Sequence, residues 1–78
     1  MRPKELQCII TFNTTTEAMA FEDAVKESGL EGRLIPVPTI ITAGCGFAWR
    51  ENPKHRTLAE NILKEYKIGY DKIYELVI

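Results

Sequence analysis

An α+β fold with its elements in the order β-α-β-β-α-β follows from three observations on this 78-residue chain. Apolar, β-prone runs stand at its two ends, Leu6–Phe12 and Tyr70–Ile78, and two shorter ones lie near its middle, Arg33–Val37 and Gly46–Arg50. Two segments carry apolar residues at helical spacing, around Ala18–Phe21–Val25 and Leu58–Ile62–Tyr66. Each of them follows a threonine with a glutamate three residues later, the spacing of a capping box. Right-handed crossovers then put both helices on one face of a four-stranded antiparallel sheet, the ferredoxin-like arrangement. Strands one and three take the centre, and two and four the edges.

In the first strand Leu6, Cys8, Ile10 and Phe12 alternate with Gln7, Ile9 and Thr11, the period of a sheet with one buried face. Cys8 falls in the apolar register and reads as a small buried hydrophobe. Asn13-Thr14-Thr15-Thr16 breaks the alternation, and Thr14 with Glu17 opens the first helix. Ala18, Phe21, Ala24 and Val25 share its inner face, and Gly29 followed by Leu30 marks its end. Pro36 lacks a ladder donor and assigns the second strand to an edge. In the third strand Phe47 and Trp49 share one face and Ala48 the other. Asn52-Pro53 and Thr57 with Glu60 offer two starts for the second helix. Its stripe is Leu58, Ala59, Ile62, Leu63 and Tyr66, and it ends near Lys67.

Length and composition predict one domain over residues 1–78, which buries about 60–65% of the surface its unfolded chain exposes. A net charge of −1 and 45% hydrophobic residues point to neither nucleic acid nor an anionic membrane as partner. No apolar run approaches the roughly 20 residues needed to span a bilayer. Met1-Arg2-Pro3-Lys4-Glu5 lacks the apolar segment of a secretory signal, so a cytoplasmic protein with reduced thiols is expected. Cys8, Cys45 and His55 do not stand at a metal-ligand spacing, and neither a metal nor a cofactor is expected. Strand geometry places Cys8 on the order of 13 Å from the start of the third strand, too far for a disulfide to Cys45.

The chemistry concentrates at Cys45, between Gly44 and Gly46. Flanking glycines give the sulfur little cover and leave the backbone free to turn. The topology puts this connection at the same end of the sheet as Thr14 and Thr15, where unsatisfied helix N–H groups favour an anion such as a thiolate. Cys45 is therefore the candidate reactive residue, with Thr42, Gly44, Gly46, Thr14 and Thr15 as candidate binding residues around it. His55, between Lys54 and Arg56, reads as a solvated charge cluster at the opposite end and does not form a dyad with Cys45. Arg50 is also remote from the sulfur. Phe47, Trp49, Tyr66, Tyr70 and Tyr74 read as packing residues, and Ser28 has no base near it in sequence. No acid–base pair or phosphate loop is present, which argues for a carrier or binding protein over a stand-alone enzyme.

The run Leu34-Ile35-Pro36-Val37-Pro38, then Ile41-Thr42 and Cys45-Gly46-Phe47-Ala48, resembles a small bacterial family of selenium/sulfur carrier proteins. The likeness extends through the Ile10-Thr11-Phe12 strand, Glu17-Ala18 and the tyrosine-containing last strand. Thr39, Ile40, Ala43 and Gly44 depart from it, since the family often has polar residues after the second proline and serines before the cysteine. The resemblance implies that Cys45 holds sulfur or selenium as a persulfide or selenopersulfide, taken from a donor protein and passed to an acceptor. The residues also admit another reading: a small binding or regulatory module, dimeric through the edge of the last strand, with Cys45 structural or redox-sensing.

Overall fold

The structure, a computed structural model, describes residues 4–41 and 45–78. Its elements are β1 (Leu6–Thr11), α1 (Thr15–Ala24), β2 (Arg33–Pro36), β3 (Phe47–Glu51), α2 (Arg56–Glu65) and β4 (Ile73–Val77). A 3-10 turn, Pro53–His55, precedes α2. The strands form one antiparallel sheet in the order β2-β3-β1-β4, the ferredoxin-like arrangement with β1 and β3 inside.

Register decides which side chains are buried. Cys8 faces Glu51 and Ile10 faces Trp49, so these residues share one side of the sheet with Phe12. Both helices cover that side, sending down Ala18, Phe21 and Val25 from the α1 region and Ala59, Ile62 and Leu63 from α2. Phe21 links the layers: its ring centroid lies 5.8 Å from that of Phe12 and 5.2 Å from that of Trp49, edge-on to the latter. Such pairs contribute about 0.5–1.5 kcal/mol each beyond area burial. On the other face Ile9, Thr11 and Ala48 are also fully buried.

Several boundaries differ from the sequence reading, each for a local reason. α1 stops at Ala24, because Ser28 draws the next residues into a turn: its hydroxyl donates to the Val25 carbonyl at 2.7 Å and accepts from Leu30 N–H at 3.1 Å. That is the role of Ser28. β3 runs one residue further, to Glu51. The second helix starts through the Asn52 route, whose side chain accepts from Lys54 N–H at 3.0 Å, and the Thr57–Glu60 box does not form. Leu58 and Tyr66 lie outside the stripe predicted for α2, at 39% and 53% exposure. β4 begins at Ile73, since Asp71 and Lys72 instead hydrogen-bond to Thr11.

The end of α2 follows a Schellman pattern. Ile68 N–H donates to the Leu63 carbonyl at 2.9 Å and Lys67 N–H to the Lys64 carbonyl at 3.2 Å. This puts Lys67 in the left-handed region, at φ +54°, where a side chain is disfavoured.

Candidate functional site

The β2–β3 connection leaves the ladder where Pro36 faces Phe47, and a Val37 N–H bond to the Gly46 carbonyl at 3.0 Å closes it. Gly46 has φ +83°, a conformation that favours glycine, and it is exposed. Cys45 is half-buried and rests against the edge of the core. Its Sγ accepts from Phe47 N–H at 3.3 Å and lies 3.3 Å from the Phe47 carbonyl. The N–H contact is one that a thiolate retains; the carbonyl contact requires the protonated thiol.

Register fixes where this sulfur sits in the fold. Ala48 faces Thr11, so Phe47 and Cys45 lie beyond the end of β1, on the side where α1 begins. Thr15 and Phe47 line one apolar cavity of about 220 Å³ with Ala18, Met19 and Leu34. Thr14 is occupied with its own helix, its Oγ1 accepting from Glu17 N–H at 3.1 Å. Glu17 reaches back to Asn13 N–H at 2.8 Å, so a carboxylate already stands at the mouth of α1. The donor found on the sulfur is thus Phe47 N–H and not the helix terminus. Thr42 and Gly44 lie outside the described residues.

The second thiol is different. Cys8 is fully buried, and its pKa is pushed up from 9.0 to about 11, chiefly by that burial, with Arg56 opposing and Glu75 adding. Both cysteines are free. Since Cys8 faces Glu51, at the far end of β3 from Cys45, the four strand steps from Phe47 to Glu51 alone separate the two ends by about 13 Å.

Sequence reading missed the polar centre at the other end of β3. Glu51 is only 1% exposed, and its carboxylate accepts five hydrogen bonds. Oε1 takes Gly32 N–H and Trp49 Nε1–H, each at 3.0 Å. Oε2 takes Glu31 N–H and Asn52 N–H at 3.3 Å and His55 Nδ1–H at 2.9 Å. His55 is therefore a partner of this carboxylate, not the solvated group expected, because the 3-10 turn folds it back over the end of β3. Burial alone would raise the Glu51 pKa, but the His55, Trp49 and backbone bonds outweigh it and hold the carboxyl below the usual range. The signal for Glu51 was present: it continues the Phe47–Trp49 alternation onto the helix side.

Among the described residues no three His, Cys, Asp or Glu side chains gather into a metal site, and no helix is long and apolar enough to cross a membrane. The model of a protein family described as "Putative Se/S carrier protein-like" matches residues 7–75. No curated protein and no solved structure matches the chain.

Proposed function

The chain belongs to the Se/S carrier protein-like family, and from that premise we propose that Cys45 is the carrier atom's attachment point. The observation that carries this reading is the contrast between the two thiols. Cys45 is reachable, on a glycine-bordered turn with a backbone N–H directed at its sulfur; Cys8 is fully buried, with ionisation suppressed.

In this reading the Cys45 thiolate attacks the terminal sulfur of a persulfide on a donor protein. A new S–S bond forms on Cys45, the donor's S–S bond breaks, and the donor departs as a thiolate with that electron pair. The acceptor's nucleophile then takes the same sulfur and Cys45 leaves as the thiolate. The sulfane sulfur keeps its oxidation state throughout, so no external oxidant or cofactor is needed. A selenium atom follows the same route as a selenopersulfide. The exchange suits the reducing cytoplasm of a bacterium. The outer edge of β4, unpaired among the described residues and with Val77 59% exposed, is the surface for a homodimer in the same proposal.

Incubation with inorganic polysulfide followed by intact-mass and peptide mapping tests the assignment. The expected result is a gain of roughly 32 Da confined to Cys45 and absent in Cys45→Ser. An adduct on Cys8, or none on the wild-type chain, overturns it.

A further inference from the structure

At the opposite end of the sheet from Cys45, on the face away from the helices, we propose a binding site for a free α-amino acid. Its carboxylate lies on Arg33 and Arg50, and its ammonium between Glu5 and Glu31. Arg33 and Arg50 are direct cross-strand partners in the β2–β3 ladder, and Arg50 also faces Ile9, which sets both side chains on the helix-free face. Like charges opposed across a ladder repel each other, so the pair calls for an anion.

No carboxylate of the chain supplies it. All eleven Asp and Glu residues belong to the described residues, and the ion pairs among the described residues are Lys26–Asp23, His55–Glu51, Arg56–Glu60 and Arg56–Glu75. Neither arginine takes part, and neither Glu5 nor Glu31 does. Yet these four side chains line one cavity of about 500 Å³, with Gln7 and Asn52 as neutral hydrogen-bonding groups. That volume falls within the range of small-molecule sites. Glu51 also borders it, but its oxygens are committed to five donors.

The charge inventory selects the ligand class. Two guanidinium groups and two carboxylates, none of them ion-paired among the described residues, balance, and they stay beyond ion-pairing distance of one another. A simple anion meets the glutamates as well as the arginines. A zwitterion satisfies both signs, with the planar guanidinium groups suited to a carboxylate. The floor of the cleft is fixed: Glu51 holds the Glu31 and Gly32 N–H groups, and a Cβ on Gly32 would collide with the Arg50 carbonyl.

The inference does not rest on the carrier reading, and its test is separate. The twenty common amino acids are titrated one by one against the full chain by calorimetry, with inorganic phosphate alongside. Binding by at least one amino acid is expected, with affinity reduced at least about tenfold for its α-amide and its N-acetyl derivative, which each lose one charge. Arg50→Gln and the more exposed Arg33→Gln should each weaken it by a similar factor, while the polysulfide mass gain on Cys45 is unchanged. No binding by any amino acid overturns the proposal. So does phosphate binding as tightly as the best amino acid, or full affinity in Arg33→Gln.

Discussion

Glu51 and His55 meet at 2.9 Å, Oε2 to Nδ1, where β3 gives way to the second helix. The contact ties two elements together, and the same carboxylate holds the start of β2 through Glu31 and Gly32. An ionised carboxylate only accepts, so Nδ1 of His55 is the donor.

Removing this acceptor strands its donors, the buried Trp49 Nε1–H among them. Glu51→Leu leaves five of them without their partner, and a loss of about 3 kcal/mol or more is expected. Glu51→Gln keeps one acceptor oxygen and should fall between that variant and wild type. Urea denaturation midpoints at neutral pH give the order; a Leu variant as stable as wild type would remove Glu51 from its structural role.

The same residue sets an acid limit. Its folded pKa lies below the ordinary 4.5, so the unfolded chain binds the proton more readily. Stability from this group is present above about pH 4.5 and is lost as pH falls through the lower, folded value. Chemical denaturation between pH 6 and 3 should show wild type losing more stability than Glu51→Gln. Parallel curves for the two would contradict the assignment.

Cys8 sets the alkaline counterpart. Its folded pKa of about 11 exceeds the ordinary 9.0, so above pH 9 the unfolded chain ionises while the folded one resists. Stability then falls as pH rises from 9 to 11, by on the order of 2 kcal/mol for this group. Cys8→Ala should start less stable, through the lost packing, but with that part of the alkaline slope gone. Equal slopes in the two proteins would mean that Cys8 is not the titrating group.

The architecture was legible because its signals were local. The Leu6–Phe12 alternation, Thr14 with Glu17 and the edge-marking Pro36 each act within a few residues, and the sheet order follows from right-handed crossovers. The reach of β3 to Glu51 was harder to read, because an inward-facing glutamate violates the apolar pattern unless its donors are known. Those donors come from Gly32 and Glu31, some twenty positions away, and from His55 after a 3-10 turn. The Arg33–Arg50 pairing was equally hidden, since only register brings those side chains together. Cys45 stood out between its glycines; its bond to Phe47 N–H depended on a turn that spacing does not specify.

Lys67 offers a stabilising change. It occupies the left-handed position of the Schellman ending, at φ +54°, where glycine carries no Cβ penalty. The two closing bonds, Ile68 N–H to Leu63 and Lys67 N–H to Lys64, use only main-chain atoms and survive the substitution. Ile68, which packs on the core, is untouched. Lys67→Gly removes a strain of about 1–2 kcal/mol but leaves a more flexible unfolded chain, which offsets part of it. A net gain of about 0.5–1 kcal/mol is expected, read as a higher urea midpoint with unchanged slope. Lys67→Ala, which keeps the Cβ, serves as the control and should gain nothing. If both variants moved the midpoint equally, loss of the lysine charge and not relief of the backbone would be the cause.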